Sequence, residues 1–212
     1  MFYVFDIDDT LYLERNFVRS GFQVVGQWMK MQFGVDDFFD RAWKFFEAGS
    51  RRHIFDRVIS ELDLHSSGIV ERMVAVYRYH KPSISLAPDA ILFLESHAAN
   101  DMAIITDGYA DVQWSKIRTL GLDRLVGRVI ATDDWGRDFW KPHPRSFIEI
   151  CNGHDPADCV YIADNPSKDF MAPERLGWAP SIRIRRPEAL HYDCMTPAGC
   201  KEIASLSEIN PP

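Results

Sequence analysis

No stretch of this 212-residue, 24.4 kDa chain approaches the roughly 18 consecutive apolar residues of a membrane-spanning helix. Basic charge is also short. Lys and Arg number 24 against 31 Asp and Glu, a formal −7 with a pI near 5.5, which excludes the broad basic footprint of a general nucleic-acid binder. Cysteine is scarce, with Cys151, Cys159, Cys194 and Cys200 and no C-x-x-C pair. That argues against a disulfide-stapled scaffold and fits reduced, packed thiols. Cys151, His154 and Cys159 are poorly spaced for zinc and read as ordinary packing. No basic run precedes the short apolar segment Phe2–Phe5, so the secretory-leader pattern is missing. The expectation is a cytoplasmic protein that partners neither a membrane nor a nucleic-acid polymer.

Proline is missing from residues 1–81; all 12 prolines lie between 82 and 212. Since proline breaks helix interiors, that first stretch can be largely helical. Its apolar spacing agrees: Phe17, Phe22, Val25, Trp28 and Met29 recur at helical intervals, as do Phe38, Phe39, Ala42, Phe45 and Phe46. Segments near 53–63 and 68–80 continue the pattern, punctuated by Gly34, Gly49 and Ser66-Ser67-Gly68. Residues 15–82 therefore read as a four-helix unit.

Around that unit the rhythm changes. Short apolar runs recur at Phe2–Phe5, Met102–Ile105, Val129–Ala131, Cys159–Ala163 and Ile182–Ile184, with helical patterns at about 88–99, 110–120, 144–151 and 167–176. Strand–helix alternation predicts an α/β fold, a doubly wound parallel sheet, with the helical unit inserted after the first strand. The expected division is a core of residues 1–14 and 83–212 and an inserted cap of residues 15–82. The tail from Pro187 looks weakly structured by pattern. Composition, at 46% apolar and 26% charged, is that of an ordinary globular chain.

Ligands of open parallel sheets bind beyond the carboxyl ends of the strands. Directly after the runs stand Asp6, Asp8 and Thr10; then Thr106, Asp107 and Gly108; then Asp164, Asn165 and Asp169, with Lys141 ahead of the fourth strand. Carboxylates gathered in one crevice repel one another and call for a cation. Hard oxygen ligands suit Mg²⁺, which shares its shell with phosphate. Hydroxyl, backbone amide and lysine are phosphate donors. The pattern points to a Mg²⁺-supported phosphoryl site, where a carboxylate nucleophile can form an aspartyl-phosphate.

Asp6-Ile7-Asp8-Asp9-Thr10-Leu11 resembles the first motif of the haloacid dehalogenase (HAD) superfamily. Thr106 resembles its second motif, Lys141 its third and Asp164-Asn165-Pro166-Ser167-Lys168-Asp169 its fourth, in family order at separations of 100, 35 and 23 residues. The resemblance spans about residues 1–190, and the inserted helices resemble the family's α-helical cap. It implies Asp6 as nucleophile and Asp8 as the acid that protonates the leaving oxygen, then the base that deprotonates water. That role asks for an Asp8 carboxyl that holds a proton at the first step. It further implies Thr106 and the amides near Asp107 and Gly108 as phosphoryl donors, and Lys141 as the cation beside Asp6. Mg²⁺ would be held by Asp6, Asp164 and the Asp8 carbonyl, with Asp169 in support.

Two departures stand out. Ala163 replaces a frequent glycine, and Lys168 puts a positive charge into the acidic loop, where solvation is the favoured reading over phosphate contact. Residues 15–82 carry a net +3 and the remainder −10. A basic lid would suit an anionic substrate, with Arg51, Arg52 and His53 its densest cluster and Arg15 and Arg19 close to the first motif; a solvated helical face is the alternative. Eight of 14 phenylalanines fall in this segment and read mainly as packing. The expected activity is a Mg²⁺-dependent phosphatase acting on a small phosphorylated metabolite, a sugar phosphate or a nucleoside monophosphate. A mutase or phosphotransferase of the same superfamily, a phospho-receiver-like module and a non-catalytic scaffold are the alternatives.

Overall fold

Four residues, Phe2–Phe5, form the central strand β1, buried on both sides. In the computed structural model, which describes residues 1–64 and 66–209, it lies in a six-stranded parallel sheet. The other strands are β2 (Met102–Thr106), β3 (Arg128–Ala131), β4 (Cys159–Ala163), β5 (Ile182–Ile184) and β6 (Lys201–Ile203), in the order β3-β2-β1-β4-β5-β6. β1 pairs with β2 on one side, Val4 opposite Ala103, and with β4 on the other, Val4 opposite Tyr161. The chain thus reverses its direction of travel across the sheet beside β1. That reversal opens a crevice at the carboxyl ends of β1, β2 and β4.

Both faces of the sheet are covered, which is why its strands read as continuous apolar runs rather than alternating ones. Phe2, Val4, Ala103, Ile105 and Tyr161 share a core with Phe147 and Ile150 of α8 (Arg145–Ile150) and Ala172 of α9 (Met171–Arg175). Tyr3 and Phe5, on alternate positions, meet Phe93 of α5 (Pro88–Ser96) edge-on at 5.2 and 5.6 Å. Cys151 and Cys159 pack in the first of these cores as free thiols, their sulfurs 3.3 Å apart. The helices α6 (Ala110–Leu120) and α7 (Leu122–Leu125) complete the connection from β2 to β3.

The chain folds into two compact units, Met1–Arg15 with Ile84–Pro212, and Asn16–Ser83. The second unit is built by α1 (Glu14–Phe33, which begins in the first unit), α2 (Phe38–Glu47), α3 (Ile54–Glu61) and α4 (Ile69–Tyr79). Its core joins Phe22, Val25 and Met29 of α1 to Phe38, Val58 and Met73. Gly21 lets α1 approach α4 closely, since a Cβ there would stand 2.4 Å from the Tyr77 ring. Of the basic cluster, Arg51 donates to the Phe46 carbonyl at 2.7 Å and stacks on the Phe46 ring, so it caps α2.

The segment after Pro187 differs from its expected weak order. Arg183, fully buried, donates to the carbonyls of Asp164, His191 and Cys194 and to the Thr196 hydroxyl. One guanidinium therefore ties the tail to the end of β4, and β6 then adds a sixth strand.

A second guanidinium ties the chain after β5 to the turn after β1 and to α5. Arg186 donates twice to Asp89 at 3.0 Å and once to the Thr10 carbonyl at 2.8 Å, while Ser205 and the Leu206 amide also donate to Asp89. Against the upward push of burial, these partners hold the Asp89 carboxyl below its ordinary range. Asp89→Ala is expected to lower stability at neutral pH by about 3 kcal/mol, the effect of stranding a buried guanidinium. Because the folded-state pKa is depressed, this contribution is present above the usual carboxylate range and fades as pH falls through the lowered value. Urea unfolding of both proteins across acid pH checks it; equal midpoints at neutral pH would contradict it.

Candidate active site

Asp6 is the first residue past β1, and its amide still donates to the Ile162 carbonyl at 3.0 Å. The turn that follows is tightly closed. Thr10 and Leu11 donate to the Ile7 carbonyl, and Asp9 takes a left-handed φ of 53°. The Asp9 carboxylate accepts the amides of Glu14 and Leu190, each at 2.8 Å. These bonds fix the direction in which Asp6 and Asp8 leave the sheet.

Lys141 Nζ lies 2.7 Å from Asp6 Oδ1 and 2.9 Å from the Tyr161 hydroxyl. It is also 2.8 Å from Asp169 Oδ1, an oxygen that is buried without a hydrogen bond, so that contact is an ion pair alone. Burial works against the Lys141 ammonium, yet Asp169 and Asp6 hold its pKa well above the ordinary value. Asp6, Asp164 and Asp169, all buried, each bring one carboxylate oxygen within 4.8 Å of the others. Burial pushes the Asp6 carboxyl up to about 6, with Lys141 opposing and Asp169 adding to the rise. Burial, then Asp6 and Asp169, push Asp164 well above the carboxylate range.

With all three ionised, three carboxylates beside one ammonium would leave a surplus of two negative charges in a buried site. The orphaned Asp169 oxygen and the hard oxygen donor set fit a small divalent cation such as Mg²⁺.

Asp8 has its own set of partners. Its carboxylate is held by Lys116, whose Nζ stands 2.7 and 2.8 Å from its two oxygens. The Tyr12 hydroxyl donates to Oδ1 and Gln113 Nε2 to Oδ2. Burial alone would raise the Asp8 pKa, but Lys116, Tyr12 and Gln113 together hold it below the ordinary value. In the free protein these donors favour the carboxylate form, opposite in direction to the raised pKa that the implied acid role asks for.

Thr106 closes β2, and its hydroxyl accepts from Gln113 Nε2. Asp107 serves as a strut: its carboxylate accepts the Thr132 hydroxyl at 2.7 Å, the Lys141 amide at 3.1 Å and Lys168 Nζ at 2.9 Å. Lys168 is therefore half-buried and paired, contrary to the solvated reading. Gly108 has φ +131°, and a Cβ there would press on the Gln113 side chain at 3.2 Å, so both backbone and space demand glycine. Burial, with Asp8 as neighbour, also lifts the Glu14 carboxyl to about 7.

The structure thus gathers Asp6, Asp164, Asp169 and Lys141 at one point and sets Asp8, Thr106 and Asp107 around it. Sequence reasoning missed Gln113, Lys116 and Tyr12. The only signal for the first two was a polar pair one turn apart on the helix following Thr106, which looks like any solvated face, and Tyr12 reads as one more aromatic after the first motif.

Comparison with known proteins agrees with this fold. The family model of haloacid dehalogenase-like hydrolases matches residues 2–177. A glyceraldehyde 3-phosphate phosphatase from Methanocaldococcus jannaschii is 27% identical over 195 residues, covering 85% of this chain and 83% of the relative. Among solved structures, the magnesium-bound HAD-family protein YfnB from Bacillus subtilis superposes with a TM-score of 0.64 at 17% identity, covering 98% of this chain and 95% of the other. A HAD phosphatase from Thermococcus onnurineus gives 0.56 at 23%, covering 98% and 95%. An L-2-haloacid dehalogenase from Xanthobacter autotrophicus gives 0.61 at 17%, covering 99% and 97%. At these identities the structural matches speak for the fold. With the family model spanning the acidic site and the first four strands of the sheet, the chain belongs to the haloacid dehalogenase-like hydrolases.

Proposed function

We propose that the protein is a Mg²⁺-dependent phosphatase that hydrolyses a small phosphorylated metabolite through an aspartyl-phosphate on Asp6. The observation that carries this reading is the second carboxylate, Asp8, set next to a triad of metal-type acids around a lysine-paired Asp6. Displacing a halide needs neither a proton donor for the leaving group nor a cation to gather phosphoryl oxygens. Cleaving a phosphomonoester needs both. The name of the M. jannaschii relative supports sugar phosphates as the first substrate class to test, ahead of nucleoside monophosphates.

Asp6 attacks phosphorus as the bond to the leaving oxygen breaks, and that oxygen takes a proton from Asp8. In the second half Asp8 removes a proton from water, the water oxygen attacks phosphorus, and the bond to Asp6 breaks to release phosphate. Asp8 must hold a proton at that step, against the donors that favour its carboxylate form. A phosphate ester brought beside it adds like charge, which pushes its pKa back up. Gln113 donates to the Thr106 oxygen, so the Thr106 hydrogen points elsewhere and is available to a phosphoryl oxygen. Lys141 balances Asp6 before attack and the transferring group during it. Asp6, Asp164 and Asp169, with the Asp8 carbonyl, would hold Mg²⁺, which supplies charge neutralisation of the phosphoryl oxygens.

The test is inorganic phosphate release from an aryl phosphate with Mg²⁺ and with excess chelator. Release that depends on the metal is expected, followed by turnover of sugar phosphates. Isomerisation of a sugar phosphate without phosphate release would replace hydrolysis by mutase chemistry.

A further inference from the structure

Helix α6 turns two buried polar side chains, Gln113 and Lys116, toward the carboxyl ends of the strands. Three residues apart, they share one face. A lysine this deeply buried is rare unless something fixes its charge, and Asp8 is a partner here, bound at both oxygens. Gln113 spreads one amide nitrogen over the Asp8 carboxylate at 3.1 Å, the Asp107 carbonyl at 2.8 Å and the Thr106 hydroxyl. Tyr12, from the turn after β1, is the third group on the Asp8 carboxylate.

The Asp8 carboxylate is thus held from two elements of the core. A carboxylate on a turn is otherwise free to rotate about two side-chain bonds, and proton transfer to a leaving oxygen needs it in one direction. None of this is required to support Asp6 or Asp169, which have their own cation in Lys141.

We infer that Lys116 and Gln113 are positioning residues that aim Asp8 at the leaving-group oxygen. The inference rests on the phosphatase reading above and deepens it. Misdirection of Asp8 differs from loss of folding in which substrates suffer. An aryl oxide leaves as a stable anion and gains little from an acid, whereas an alkoxide needs the proton. Damage to the aim of Asp8 must therefore fall unequally on the two kinds of ester.

The experiment compares kcat/KM for an aryl phosphate and for an alkyl phosphate such as glycerol phosphate, in the wild-type protein and in Lys116→Met. The ratio of the two constants cancels the fraction of folded protein in any preparation. With each protein measured at its own pH optimum, the alkyl-to-aryl ratio in Lys116→Met is expected to fall by about 10- to 100-fold, the range of acid–base assistance. Gln113→Leu, which removes a neutral group, is expected to move the ratio the same way and stands in should Lys116→Met fail to fold. A ratio within about two-fold of wild type in the variants that fold would overturn the positioning role. If the wild-type protein released phosphate from neither ester, the phosphatase reading itself would fall, and the inference with it.

Discussion

Asp6→Asn is expected to lower phosphate release by at least about 10⁴-fold, as removal of a nucleophile does, while leaving the fold intact. The amide is nearly the same shape as the carboxylate but is a far poorer nucleophile. Lys141 keeps two of its three partners, Asp169 and the Tyr161 hydroxyl, so its buried ammonium is not stranded. The substitution also removes a carboxyl that burial has already pushed up to about 6. The variant is therefore expected to melt no lower than wild type in the absence of metal. Activity measured with saturating Mg²⁺, beside a thermal melt, separates the two effects. Residual turnover above about 1% of wild type would mean that another group attacks phosphorus.

The second large effect concerns the cation and turns on a sign. Burial raises Asp164 well above the carboxylate range, with Asp6 and Asp169 adding to the rise; it lifts Asp6 to about 6, with Asp169 adding, and Glu14 to about 7. Each of these groups binds its proton more tightly folded than unfolded. Between the ordinary carboxylate range and those raised values the folded state carries more protons, so metal-free stability falls as pH rises. A bound divalent cation reverses that trend. At a Mg²⁺ concentration about 100-fold above its dissociation constant, the gain is about 2.7 kcal/mol, or roughly 5–10 °C for a chain of this size. Asp164→Asn removes one of the three repelling charges and one of the ligands together. It is expected to melt above wild type without metal, to lose the Mg²⁺ shift, and to lose turnover by roughly 10²-fold or more. Thermal melts of both proteins at neutral pH, with and without Mg²⁺, check the first two signs, and phosphate release checks the third. An equal Mg²⁺ shift in both proteins would remove Asp164 from the metal set.

The elements that sequence alone made legible are those whose burial is complete. β1, β4 and β5 begin and end where their apolar runs do, because both faces are covered and every residue is apolar or tied. β6 escaped notice since Lys201 and Glu202 on the sheet edge are exposed and only Ile203 reaches the core. Order in the tail was hidden in Arg183, whose charge reads as an interruption of a strand until its four acceptors are known. The acids at the strand ends could be placed because the crevice of a doubly wound sheet is a topological consequence. The protonation of Asp8 could not, since it depends on Lys116, 108 residues away in the chain. Lys168 is a similar case: its partner, Asp107, sits on a different strand end.

The most direct test of a covalent mechanism on Asp6 is to trap the intermediate. The protein is mixed with aryl phosphate and Mg²⁺, quenched in acid, reduced with borohydride and digested with trypsin, which releases Met1–Arg15 as one peptide. Acyl phosphate on Asp6 is reduced to homoserine at that position, and mass spectrometry of the fragment ions locates it. Homoserine at position 6 with substrate and Mg²⁺ together, and its disappearance in Asp6→Asn or with chelator, is the expected result. Phosphate release that proceeds with Asp6 unmodified, or with the reduced residue elsewhere in the peptide, would contradict the mechanism.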